Sequence, residues 1–148
     1  MKKIISFLII TIFAIMINGI TVKAETQYQN KWNIYLTPTE IELLSRIVQL
    51  EAGNEIKESK YATIETILNR IISNKYPNTL VDVLSQKGQF STWKHVATTK
   101  ATPTYDTYQC VAVVLTGQTN VLNCDSLYFN NKPIGKNPIK IGNQYYGK

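Results

Sequence analysis

The sequence is poor in the residues that build metal and nucleophile centres: one histidine and two cysteines in 148 positions. A catalytic zinc draws on several protein ligands, usually including more than one histidine, around an open position. His95 alone cannot supply that set, so no metal or other cofactor is expected. Cys110 and Cys124 are compatible with a disulfide outside the cytosol or with two buried thiols, and spacing does not choose between them. A cysteine–histidine nucleophile is a poor alternative, because Cys110 sits inside the apolar run YQCVAVVL, where an inert thiol is the default. The chain also lacks a Gly-rich phosphate loop, a Gly-x-Ser-x-Gly elbow, internal repeats and low-complexity tracts. Its basic residues form no run. A nucleic-acid binder carries a clustered basic stripe, and no nucleic-acid partner is expected.

What is present begins with MKKIISFLIITIFAIMINGITVKA. Two lysines, an apolar run from Ile4 to about Ile20 and small residues at Val22 and Ala24 have the pattern of a secretory signal, residues 1–24. An uncleaved anchor is the alternative, although the run is slightly short for a spanning helix. Of the formal net charge of +6, Lys2, Lys3 and Lys23 lie in this segment; 124 residues follow, with 13 basic and 10 acidic side chains. That length holds one domain. Residues 25–36 are expected to form a polar leader, and residues 37–148 the domain.

The first strong element signal is Thr37-Pro38-Thr39-Glu40, a capping box with proline at the first helical position. The spacing predicts a helix through IELLSRIVQLEA that stops at Gly53-Asn54. A second helix is expected from about Glu58 to Ser73, a short third over TLVDVLSQ, and a fourth opened by Pro103 and closed by Gly117. Beyond Gly117 the segments SLYFN and IKIGNQYY are short and rich in β-formers, separated by a Pro/Gly/Asn stretch. The expected class is α+β: a small, mainly helical domain with a short C-terminal antiparallel β-hairpin.

One side chain breaks the local rules. Ile41, Leu44 and Val48 share a helix face, and three further residues along that face lies Glu51. Burial there penalises the charged form, and the negative end of the helix dipole does the same. A carboxyl kept protonated near neutral pH is suited to protonating a glycosidic oxygen. Periodicity alone favours a glutamate that reaches solvent at a frayed helix end.

LLSRIVQLEAGNE, YATIETILNRIISNKYPNTLVDVLSQKGQFS, SLYFNN and IGNQYYGK together resemble the cell wall hydrolase family of spore-cortex-lytic enzymes, the SleB/CwlJ type, with five motifs in the family's order from about Thr37 to Tyr146. The resemblance implies a lysozyme-like domain that acts on peptidoglycan. Its catalytic glutamate falls on Glu51. Similar members are lytic transglycosylases that cut between N-acetylmuramic acid and N-acetylglucosamine, using the sugar's own 6-hydroxyl as nucleophile, so one carboxylate suffices. A hydrolytic muramidase usually needs a second, for which Glu55, Asp82, Asp106 and Asp125 are the candidates. Gln89 and Ser91 of the Gln-Phe-Ser loop, Tyr128 and Asn143 are the expected substrate-binding residues. Phe90 is expected in the core, and Phe129 on the strand face opposite Tyr128. Arg70 is expected to pair with an acid, Trp93 to offer a sugar-stacking ring, and His95 to be a polar loop residue. The implied setting is a secreted monomer at the cell wall or spore envelope, acting on vegetative wall or spore cortex, with an accessory wall or spore protein as a further partner. The competing expectations are an amidase cutting the wall's peptide bonds and a non-catalytic wall-binding module.

Overall fold

The computed structural model describes residues 30–122 and 125–148. The signal segment 1–24 and Cys124 lie outside the described residues. Four helices come first: α1 (Pro38–Ala52), α2 (Lys57–Ile72), α3 (Leu80–Ser85) and α4 (Tyr105–Leu115). Single 3₁₀ turns over Ser91–His95 and Thr99–Ala101 lie between α3 and α4. Three short strands follow, β1 (Tyr128–Asn130), β2 (Ile139–Ile141) and β3 (Gln144–Gly147). The class is α+β. The sheet is antiparallel in the order β1-β3-β2, so β3 pairs with both its hairpin partner and β1.

Local chemistry explains the helix starts. Thr37 accepts from the Glu40 amide while the Glu40 carboxylate accepts from the Thr37 amide, a complete capping box. Thr79 and Thr104 cap α3 and α4 in the same way through the amides of Asp82 and Thr107. The fourth helix therefore starts just after Pro103 rather than on it. At the end of α1, Gly53 has φ −57°, a right-handed conformation, so glycine is not there for a left-handed cap. A Cβ on Gly53 would collide with the Gln49 carboxamide. That carboxamide accepts from the Thr104 amide (3.1 Å) and the Thr107 hydroxyl (2.7 Å), tying α1 to the start of α4.

Helix α2 runs through the middle of the domain, buried over most of its length. Leu44 and Val48 of α1, Ile64, Ile67 and Leu68 of α2, and Val114 of α4 are fully enclosed in one core. Residues 30–36, the described part of the expected leader 25–36, pack against the helices. Trp32 is buried and donates its indole N–H to Asn69 Oδ1 at 2.6 Å, while Ile34 and Leu36 pack on the core. Among the described residues no helix is long and apolar enough to cross a membrane.

Candidate active site

Glu51 occupies the last turn of α1, on the wall of an open cleft of about 330 Å³. Arg70 of α2, Gln89 and Ser91 before the first 3₁₀ turn, Phe129 and Asn130 of β1, the adjacent Asn131, and Gln144 of β3 complete the lining. Helix end, loop and sheet edge thus converge on one carboxylate. Among the described residues no other acid lines the cleft.

Glu51 is half-buried, and its Oε1 accepts a hydrogen bond from the Thr92 hydroxyl. Its backbone carbonyl accepts from Gln144 Nε2 at 2.8 Å. Gln144 Oε1 in turn lies 3.0 Å from the buried Tyr146 hydroxyl, which is 2.8 Å from the Ser59 carbonyl and 3.0 Å from the Thr63 hydroxyl. This chain of polar contacts fixes β3 against α2 and against the end of α1. Burial pushes the Glu51 carboxyl above the ordinary glutamate value, and the Thr92 hydrogen bond and the Arg70 charge pull it part of the way back. The last turn of α1 holds no basic side chain, so the dipole's negative end adds to the preference for the protonated form.

Gln89 and Ser91 are exposed on the cleft wall, with Phe90 buried between them. Tyr128 and Asn143 are placed elsewhere. β1 turns Phe129 towards the cleft, and Tyr128 lies beside Tyr76 and Arg70. Asn143 belongs to the β2–β3 turn, where its amide N–H donates to Glu55 Oε2 at 2.9 Å and its side chain to Oε1 at 3.2 Å.

The four candidate second carboxylates are engaged away from the cleft: Glu55 by that turn, Asp82 by Thr79, Asp106 by Lys57 and Lys60, and Asp125 by Lys148. Trp93 packs against the core and His95 is exposed. Cys110 is buried, and burial pushes its thiol up. Among the described residues no three His, Cys, Asp or Glu side chains gather as a metal site.

Three features of the cleft region differ from the sequence reading or go beyond it. Arg70, expected to pair with an acid, makes no ion pair among the described residues; its Nε donates to the Leu127 carbonyl at 2.7 Å and its guanidinium lies among aromatic rings. Gln144 and Thr92 carried no sequence signal, because each acts through a contact across more than forty positions.

The chain resembles two solved structures. The catalytic domain of the germination-specific lytic transglycosylase SleB from Bacillus anthracis matches at 23% identity and a TM-score of 0.60, covering 76% of this chain and 97% of that one. The catalytic domain of the Bacillus cereus SleB protein matches at 20% identity and a TM-score of 0.60, covering 77% and 93%. These likenesses establish a shared fold. No curated protein sequence matches. The family model described as Cell Wall Hydrolase matches residues 54–146, a span that opens three positions after Glu51 and takes in Arg70, Gln89, Ser91, Phe129 and Gln144. With that model covering well over half of its length, the chain belongs to the cell wall hydrolase family.

Proposed function

We propose that this protein is a secreted lytic transglycosylase that cuts the peptidoglycan glycan strand between N-acetylmuramic acid and N-acetylglucosamine, with Glu51 as both acid and base. The observation that carries the proposal is a single half-buried carboxylate, biased towards its protonated form, on the wall of a cleft lined otherwise by amides, a hydroxyl, a ring and a guanidinium. Amide side chains both donate and accept, as the hydroxyl and N-acetyl groups of a glycan require.

In the proposed cycle, protonated Glu51 gives its proton to the glycosidic oxygen as the bond from that oxygen to the muramic C1 breaks. Positive charge develops at C1 and the ring oxygen. The 6-hydroxyl of the same sugar then attacks C1 and returns its proton to Glu51, leaving a 1,6-anhydro end and a regenerated acid. That Glu51 is the one carboxylate lining the cleft among the described residues favours this route over hydrolysis by a carboxylate pair. The similar B. anthracis protein is itself a lytic transglycosylase, which supports the same chemistry. In this reading the cleft-lining Gln89, Ser91, Asn130 and Asn131 bond the sugar, and Phe129 packs beneath it.

Digestion of purified peptidoglycan with product analysis by mass spectrometry tests this directly. Glycan fragments lighter by one water than their hydrated counterparts are expected. Hydrated reducing ends would make the enzyme a muramidase, and free stem peptides would make it an amidase. Glu51→Gln keeps the shape and cannot transfer the proton, so cleavage should fall by roughly 10²- to 10⁴-fold. Wild-type activity in that variant would remove Glu51 from the mechanism. Chelation by EDTA should leave the rate unchanged.

A further inference from the structure

Among the described residues Arg70 is the one cation in the cleft wall, and it is only 4% exposed. Buried guanidinium groups ordinarily sit against carboxylates. Among the described residues none lies within 4.0 Å of this one. Its Nε–H is spent on the Leu127 carbonyl, and its enclosed Nη1 has no protein acceptor. The rings of Tyr76, Phe90 and Phe129 stand 5.0, 5.1 and 6.0 Å from Cζ. Those ring faces compensate part of the lost hydration. They would accept a leucine or methionine with no such cost, so packing alone does not account for a charge in this cage. What the charge shares its cleft with is Glu51.

The separation itself carries information. A cation in direct contact with Glu51 would hold the carboxyl ionised and leave no proton to donate. With no cation nearby, the carboxylate left after donation would stand half-buried at the negative end of α1 with Thr92 as its main support. A guanidinium fixed in the same cleft, unpaired but felt by the carboxylate, serves both halves of the cycle.

We propose that Arg70 is a positioning residue for the acid/base cycle: its caged guanidinium steadies the Glu51 carboxylate once the proton has gone, without binding it tightly enough to keep the group ionised beforehand. This rests on Glu51 being the acid and base. The groups facing the pair are few. From the 3₁₀ turn Thr92 reaches Glu51, and from β3 Gln144 holds its backbone. Tyr76, from the loop after α2, and Tyr128, from β1, face Arg70. Lys94 and His95 on the 3₁₀ turn make no ion pair with Glu51, and Glu55 is held by the β2–β3 turn.

The test follows the Glu51 side-chain carboxyl by carbon NMR across pH in the wild type, Arg70→Met and Arg70→Lys, alongside the pH profile of glycan cleavage. Arg70→Met should raise the proton affinity of Glu51 about tenfold and move the alkaline limb of the rate profile upward by the same amount. Arg70→Lys should restore most of the wild-type midpoint. An unmoved midpoint in Arg70→Met overturns the proposal. A second measurement needs no change at Arg70. Its Nε–H resonance should shift as Glu51 titrates in the wild type and stay flat in Glu51→Gln. A flat signal in both overturns the proposal even if the Arg70 variants fail to fold. Neither resonance depends on turnover, so the two failures separate. Full cleavage by Glu51→Gln removes the cycle and, with it, the role of Arg70. Loss of cleavage with an uncoupled titration removes the role of Arg70 alone.

Discussion

A glutamate whose proton is held by burial weakens the fold at neutral pH, and Glu51 should show that signature. Its folded value lies above the unfolded one, so as pH rises the unfolded chain loses this proton first. The native state then binds more protons, and stability falls from the unfolded value, about pH 4, up to the folded one. Glu51→Gln carries no such penalty. Its melting temperature should exceed the wild type's at pH 7, with the gap closing below about pH 4, as calorimetry across pH would show. Thr92→Val tests the opposing contribution. Removing a hydrogen bond that favours the charged form should raise the proton affinity of Glu51 and move the alkaline limb of cleavage upward. A downward movement would mean that the Thr92 hydroxyl supports the protonated form instead. Glu51 could be noticed in the sequence because its oddity is local, a carboxylate on an apolar face at the wrong end of a dipole. Arg70 and Thr92 could not, since the cage and the hydrogen bond exist only after distant segments meet. Strand alternation predicts that only one of Tyr128 and Phe129 faces the cleft; which one depends on how β1 pairs with β3.

At the scale of elements, the helices were readable wherever capping chemistry and period agree. Thr37 announces a start that the structure contains, whereas the fourth start, expected at Pro103, falls one residue later, with Thr104 as its cap. The two 3₁₀ turns between α3 and α4 carry no 3.6-residue stripe and were read only as loop. The sheet was legible as strands but not as an order, because β3 joins β1 across a connection of more than a dozen residues. One tight point is Gly142, at φ +60° in the two-residue β2–β3 loop, where an added Cβ would stand 2.6 Å from Glu55 Oε2. The same carboxylate accepts the Asn143 amide, so the hairpin is clamped to the start of α2. Gly142→Ala should cost about 2 kcal/mol from backbone strain and the displaced carboxylate. Hydrogen exchange at the β2 and β3 amides should accelerate with it. Unchanged exchange there would show that the clamp does not hold the strands.

Across the whole molecule α2 behaves less like an amphipathic surface helix than like an axle. The apolar spacing of Ile64, Leu68 and Ile71 predicts one stripe, yet Lys60, Glu65 and Arg70 are buried as well. Each charge ties the axle to a different neighbour. Lys60 bonds Asp106 of α4 at 2.6 Å, and Arg70 reaches the Leu127 carbonyl ahead of β1. Glu65, fully enclosed, accepts the Val121 and Leu122 amides at 2.9 and 2.7 Å and lies 3.5 Å from Lys31 Nζ. Sequence pattern could not reveal this, since a buried polar residue is recognisable only through the partner that satisfies it. Two glutamates on neighbouring helices therefore have opposite duties, one kept near a cleft for its proton and the other enclosed for its lone pairs. Glu65→Ala leaves two buried amides without an acceptor and should cost about 3 kcal/mol in urea unfolding. Glu65→Gln keeps one oxygen and should lose roughly half as much. Measured below the unfolding transition, both variants should keep the wild-type pH profile of cleavage, because Glu65 anchors the 121–122 loop and not the cleft. A shifted pH limb in Glu65→Gln would instead mean that the axle passes charge changes along its length to Arg70 and Glu51.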